Sequence, residues 1–167
     1  KTIPLIFTGL AVAVGFQSGL FNIGGEGQLY WGAFATALVA ITFTDLPALI
    51  LIPLALAVGA AAGALWALIP GVLRAKTGAH EVITTIMFNY IGILMTTFLL
   101  KNYFKEAGPV DQTKKIAEQA KLPEIVANTR LTWALFIAIF VIIIIYYLLN
   151  YTSYGYDLQL VGQNKSA

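Results

Sequence analysis

The sequence predicts an all-α, polytopic membrane protein with three full transmembrane helices and one broken helix pair. Three observations carry this. Of 167 residues, 59% are hydrophobic and 11% are charged, against about 25% charged in an ordinary soluble domain, and the mean hydropathy is +0.80. That is too little charge to cover a globule facing water. The charge is also segregated: between Lys1 and Arg74 the only charged side chains are Glu26 and Asp45, and none lies between Glu81 and Lys101 or within residues 131–150. Finally, one apolar block is cut through by glycines and polar side chains.

That interrupted block comes first, over residues 1–43. Residues 3–16 are apolar but too short to cross a bilayer core of about 30 Å, which needs roughly 20 helical residues. Residues 29–43 are short as well. Between them lies QSGLFNIGGEGQ, residues 17–28, with glycines at 19, 24, 25 and 27. Two short apolar segments around a glycine-rich polar centre mark discontinuous membrane helices. Their free backbone groups are tolerated only inside protein or beside water.

The next span is expected over residues 46–73. Pro47 suits a first turn; Pro53 is expected to kink the helix and Pro70 to end it. Ala55, Gly59, Gly63, Ala67 and Gly71 recur every fourth residue. They form a small-residue face that lets another helix approach closely, with Gly59 and Gly63 as its packing centre. Residues 82–100 (VITTIMFNYIGILMTTFLL) make a further span with one amide, Asn89, near its middle. Asn89 is expected to face other helices, because lipid would leave it unpaired, either as a tie between helices or as the lining of a cavity.

Residues 101–130 are polar and mixed in charge, as an extramembrane loop should be. A short amphipathic helix over residues 116–125, interrupted by Pro123, is expected within it. Residues 131–150 (LTWALFIAIFVIIIIYYLLN) form the last span, with Trp133 near one end and Tyr146 and Tyr147 near the other, where interfacial aromatics belong. Residues 151–167 form a polar tail. The chain starts at Lys1 and stops at Ala167 in a polar stretch. It is expected to be an internal part of a longer protein, without a signal peptide.

Several function classes are excluded at this level. A net charge of +2 is too small to argue for nucleic acid. With no cysteine there is no disulfide framework or thiolate metal site. One histidine, His80, makes a poor metal site, and an interfacial pair with its neighbour Glu81 is the expected role. Gly24-Gly25-Glu26-Gly27 is no dinucleotide fingerprint, because position 30 is Tyr and no strand precedes it. No Walker lysine, nucleophile elbow or zinc motif occurs, so no catalytic residues, metal or cofactor are assigned to the chain.

Glu26 is an ionisable group flanked by apolar segments, which makes it a functional-site hypothesis by default. A hydrated turn at the membrane surface is the plain alternative. Asn22 and Gln28 flank it and offer paired donors and acceptors suited to hydroxyls or nucleobase edges.

The stretch KTIPLIFTGLAVAVGFQSGLFNIGGEGQLYWGA, residues 1–33, with GLFNIGGEGQ at residues 19–28 as its signature, resembles the permease subunits of bacterial nucleoside and simple-sugar ATP-binding-cassette importers. So do GAHEVITTIMFNYI, residues 78–91, and TSYGYDLQLVGQNKSA, residues 152–167. The resemblance covers nearly the whole chain, and GLFNIGGEGQ is its most specific part; the branched-chain amino acid permeases look different there. Gln17 stands where the resemblance leads one to expect a basic residue. The resemblance implies a multi-pass inner-membrane subunit that transports by alternating access with a second permease subunit. A cytoplasmic ATP-binding subunit would hold the ATP, and an extracellular lipoprotein would deliver substrate. On their residue chemistry, Asn22, Glu26, Gln28 and Asn89 are the candidates for lining the substrate path. The resemblance also implies that Tyr154, Gly155, Gly162 and Asn164 belong to the start of the ATPase-coupling region.

It places residues 74–81 and 152–167 in the cytoplasm and residues 101–130 outside. Counting Lys and Arg points the other way, since the longer loop holds Lys101, Lys105, Lys114, Lys115, Lys121 and Arg130, and basic loops tend to stay inside. The family-based orientation is the one expected here, because helices outside this sequence also set topology. Two other readings remain open. One is a proton-coupled secondary transporter using Glu26. The other is a non-transporting scaffold that binds a partner through the Gly59/Gly63 face.

Overall fold

The computed structural model describes residues 2–125 and 132–163. The described residues are all-α, with one isolated antiparallel bridge between Glu124 and Thr132. In chain order the helices are α1 (Thr2–Gln17), α2 (Gly25–Thr42), α3 (Ala48–Thr77), α4 (Glu81–Leu99), α5 (Ala134–Tyr151) and α6 (Ser153–Gln163). Among the described residues, three helical stretches are long and apolar enough to cross a membrane: Ala48–Thr77, Glu81–Phe104 and Ala134–Tyr151. α1 is apolar but only 16 residues long.

The chain forms two compact units. The first holds residues 1–25 and 122–167, and the second holds residues 26–121. Within the first unit α1, α5 and α6 contact one another. α1 stops in a double hydrogen-bonded cap: Leu20 N–H reaches Gly15 O at 2.9 Å and Gly19 N–H reaches Phe16 O at 3.0 Å. Gly19 has φ +68°, the left-handed conformation such a helix end requires and glycine adopts without strain. The rings of Phe16 and Phe21 meet edge to face across the turn, 4.8 Å apart.

Within the second unit the apolar core is Val39, Leu51 and Ala55, with Leu46 and Ala120 packed against it. α2 and α3 approach backbone to backbone. A Cβ on Gly32 would stand 3.0 Å from Gly59 O, and one on Gly59 would collide with Thr36 Oγ1. Thr36 Oγ1–H lies 2.8 Å from Gly32 O and 3.2 Å from Ala55 O, so the hydroxyl is satisfied inside the seam. The small-residue face is used only in part. Ala55 and Gly59 are buried and a Cβ on Gly63 would lie 3.1 Å from Gln28 O, while a Cβ on Gly71 would meet nothing.

Several local expectations need correction. α3 does not end at Pro70; it continues through Pro53 and Pro70 for 30 residues. Membrane helices tolerate internal prolines when neighbours re-satisfy the freed carbonyl, and Pro70 is buried. Pro47 stands one residue before the helix, as its N-cap. The real stop is Gly78, at φ +69°, whose N–H reaches Arg74 O at 3.0 Å. The helix after the glycine-rich break starts at Gly25, because Gly25, Glu26, Gly27 and Gln28 form its first turn. α4 runs on past residue 100 through a π turn, Leu100–Phe104. The amphipathic helix expected over residues 116–125 is only a 3₁₀ turn, Glu118–Ala120, since Pro123 lacks the N–H and fixed geometry a longer helix needs. Residues 153–163 of the polar tail are helical.

Candidate functional site

The break in the first apolar block lies at residues 18–24. Asn22 sits there, half-buried, and its Oδ1 accepts the Gly24 N–H at 2.8 Å. This is a local Asx turn that replaces helical hydrogen bonding where the chain is interrupted. Gly24 is buried beside it. Asn22 belongs to the first compact unit, and Glu26, Gln28 and Asn89 to the second.

α2 begins right after the break, so the N–H groups of its first turn have no partner within the helix. One of them is satisfied from another helix. Asn89 Oδ1, buried on α4, accepts the Gly27 N–H at 2.7 Å. Asn89 therefore acts as a helix cap supplied in trans. Gly27 has to be glycine: a Cβ there would stand 2.9 Å from Phe88 O and 3.0 Å from both Asn89 Cα and Trp66 Nε1. A Cβ on Gly92 would lie 3.3 Å from Gly27 Cα. Trp66 of α3 donates its indole N–H to Phe88 O at 3.2 Å. The Trp66 ring stacks on Trp31, with centroids 4.9 Å apart. Trp31 Nε1 is buried and makes no hydrogen bond. Thus α2, α3 and α4 meet at one point, pinned by Gly27, Trp66, Asn89 and Gly92.

Gln28 is half-buried, and its backbone carbonyl is the group that Gly63 approaches. Glu26 is exposed in the first turn of α2, where the positive end of the helix dipole favours a carboxylate. The structure thus brings Gln28, Asn89 and Gly63 to one helix junction and leaves the Glu26 side chain outside it. Sequence reasoning missed Trp66, Gly27, Gly92 and Thr36. Gly59, Gly63, Trp66 and Pro70 follow one α3 face at spacings of four, three and four, which was the available signal.

Glu81 pairs with Arg74 rather than with His80. Arg74 Nε lies 3.2 Å from Glu81 Oε2, and its Nη1 donates to Gly78 O at 3.1 Å. His80 is exposed as the N-cap of α4. Among the described residues there is no cluster of His, Asp or Glu able to hold a metal. A cleft of about 230 Å³ lies at the other end of α2, lined by Leu38, Thr42, Phe104 and Lys114 among others, and it includes none of the path candidates.

In the first unit, Tyr154 is exposed on α6 and Gly155 is buried. A Cβ on Gly155 would collide with Leu149 O at the end of α5. Gly162 lies against the end of α1, where a Cβ would strike Gln17 O and stand 3.0 Å from Gly19 N. Asn164, the last of the expected coupling residues, lies outside the described residues.

Residues 1–167 match the family model described as branched-chain amino acid transport system / permease component. The guanosine ABC transporter permease protein NupP of Bacillus subtilis is 43% identical over 98% of this chain and 48% of its own length. The nucleoside ABC transporter permease protein NupB of Lactococcus lactis is 38% identical over 98% of the chain and 48% of its length. The glucose ABC transporter permease protein TsgB13 of Haloferax volcanii is 33% identical over 100% of the chain and 47% of its length. The chain spans about half the length of the curated relatives it matches. No solved structure matches it.

Proposed function

Because this chain belongs to the branched-chain amino acid transport system / permease component family, we propose that it is part of the transmembrane subunit of an ATP-driven importer of nucleosides. It is a multi-pass protein of the bacterial inner membrane. The observation that carries the nucleoside reading is the 43% and 38% identity, over almost the whole chain, to two permeases named for guanosine and nucleosides. The family description names branched-chain amino acids, but these relatives speak for a different cargo, and a simple sugar stands second through the glucose permease.

The subunit works with a second permease subunit, a cytoplasmic ATP-binding subunit that hydrolyses ATP, and an extracellular substrate-binding lipoprotein. It transports by alternating access. Asn22 and Gln28, at the interrupted helix pair, are proposed to line the path and offer amide donors and acceptors to base edges and ribose hydroxyls. Glu26 adds an acceptor for hydroxyls at the start of α2. Asn89 holds the α2 end of that lining in place through Gly27. Discontinuous helices support this reading, since broken membrane helices gather at substrate sites. The loop over residues 101–130 lies outside and the α3–α4 turn inside.

The test is uptake of radiolabelled guanosine, cytidine and ribose by cells carrying the complete transport operon, with and without its ATPase gene. Nucleoside uptake that disappears with the ATPase is expected. Uptake that survives loss of the ATPase and collapses with the proton gradient would overturn the proposal in favour of a proton-coupled carrier using Glu26.

A further inference from the structure

We propose that Gly162 and the capped end of α1 form a joint that passes movement of α6 to the interrupted segment at residues 18–24. The inference rests on the importer reading, in which α6 leads into the ATPase-coupling region and residues 18–24 border the substrate path.

The joint is visible as close backbone packing. α6 meets α5 through one glycine and α1 through another. At Gly155 its backbone lies against the last carbonyls of α5, where a Cβ would meet Leu149 O. At Gly162 it lies against residues 17–19, where a Cβ would strike Gln17 O and stand 3.0 Å from Gly19 N and 3.1 Å from Ser18 C. Gly162 is met in turn by Gly19, whose own Cβ would lie 3.1 Å from both Gly162 Cα and Gly162 O.

The spacing suits a bar laid across two helix ends. Gly155 and Gly162 are seven residues apart, which is about 10 Å along a helix and returns to nearly the same face. Packed helices run about 8–10 Å apart, and α1 and α5 are packed neighbours. One glycine of α6 therefore seats on each helix. Gln159, between them, donates from Nε2 to Leu149 O at 3.3 Å. A methyl at either seat would force the two backbones apart and open the contact through which displacement passes, whereas close-packed backbone on backbone does not yield.

What the bar presses on is itself stiff. Gly15, Phe16, Gly19 and Leu20 are tied by the helix-end hydrogen bonds, and Ser18 Oγ–H reaches Gly15 O at 2.8 Å. Displacement of Gly162 must move this cap as a body. The chain then continues directly into Asn22 and Gly24. Gly162 and Gly19 are thus positioning residues, acting on the path through the segment between them and Asn22.

The experiment uses the complete importer in proteoliposomes, with the full-length subunit, and measures substrate taken up per ATP hydrolysed. Gly162→Ala is expected to leave the complex assembled and its ATPase active while lowering uptake per ATP about tenfold, a usual size for coupling between sites. Gly71→Ala, whose added methyl meets nothing, keeps the wild-type ratio. A second arm inserts Ser18→Cys with Gln163→Cys into this cysteine-free sequence and bridges them with a short bifunctional thiol reagent. A joint that moves as one body still transports when bridged. Gly162→Ala with wild-type coupling overturns the inference, and so does a bridge that stops transport in a double variant active before bridging. If Gly162→Ala fails to assemble, the bridging arm decides alone. Absence of ATP-dependent uptake in the wild-type complex would overturn the importer reading itself, and the joint with it.

Discussion

Asn89 Oδ1 lies 2.7 Å from the Gly27 amide nitrogen, sixty-two residues away in sequence, and accepts its hydrogen inside the protein. The contact satisfies a first-turn N–H of a helix that begins in the middle of an apolar block. It ties α2 to α4.

Asn89→Leu removes the acceptor and leaves the Gly27 N–H buried and unpaired. Mutational data put that at about 1–3 kcal/mol, while hydrogen bonds between membrane helices average about 0.6 kcal/mol. The upper range is expected, because the tight contacts around Gly27 leave no room for water. Thermal unfolding of the full-length protein in detergent measures it. A Leu variant as stable as wild type would show that the amide does not hold α2.

The small-residue face of α3 should be graded. Gly59→Ala is expected to cost about 1–3 kcal/mol by overpacking, since the new methyl meets Thr36 Oγ1 and, at 2.9 Å, Gly32 O. Gly63→Ala has one contact, at 3.1 Å from Gln28 O, and is expected to be milder. Gly71→Ala meets nothing. Equal loss of folded protein across the three would contradict this packing.

Orientation is checked by labelling. With Lys115→Cys as the only thiol in the full-length protein, a membrane-impermeant maleimide should react from outside intact cells. Reaction only after the cells are broken open would place residues 101–130 in the cytoplasm, where the count of basic residues would put them.

Asp111 gives a pH signature in that same loop. Its carboxylate lies 2.6 Å from Lys105 Nζ and 3.0 Å from Lys101 Nζ. The Lys105 ammonium, followed by that of Lys101, holds the carboxyl below its ordinary value of 3.8. A carboxyl lowered in the folded state contributes its stabilisation in full above the unfolded value and loses it as pH falls through the folded one. A spin label at residue 110 should therefore stay ordered as pH drops to 3.8 and gain mobility only below it. Asp111→Asn should show the mobile spectrum at neutral pH. Loosening that begins well above 3.8 would contradict the pairing.

The spans and the interruption were legible because lipid imposes a length and forbids unpaired backbone, and both constraints leave runs and gaps in the sequence. The Gly59 face was legible from its four-residue recurrence. The junction around Gly27 was not: Trp66, Phe88 and Asn89 come together only when separate helices pack, and no local rule announces that. Pro70 misled because proline ends helices in water, whereas buried against neighbours it sits within one. The helix at residues 153–163 was hidden by its polarity, since its partners are helix ends rather than an apolar core.

The length of α3 has a consequence of its own. Thirty helical residues reach about 45 Å, well beyond a hydrocarbon layer of about 30 Å. If one end is anchored near the far surface, the last turns stand clear of the lipid as a stub. That stub carries Arg74 and Lys76, and the Arg74–Glu81 contact folds the start of α4 against it. With α3 so anchored, this corner would stand out from the bilayer as a preformed knob, held by hydrogen bonds and charge rather than by apolar burial.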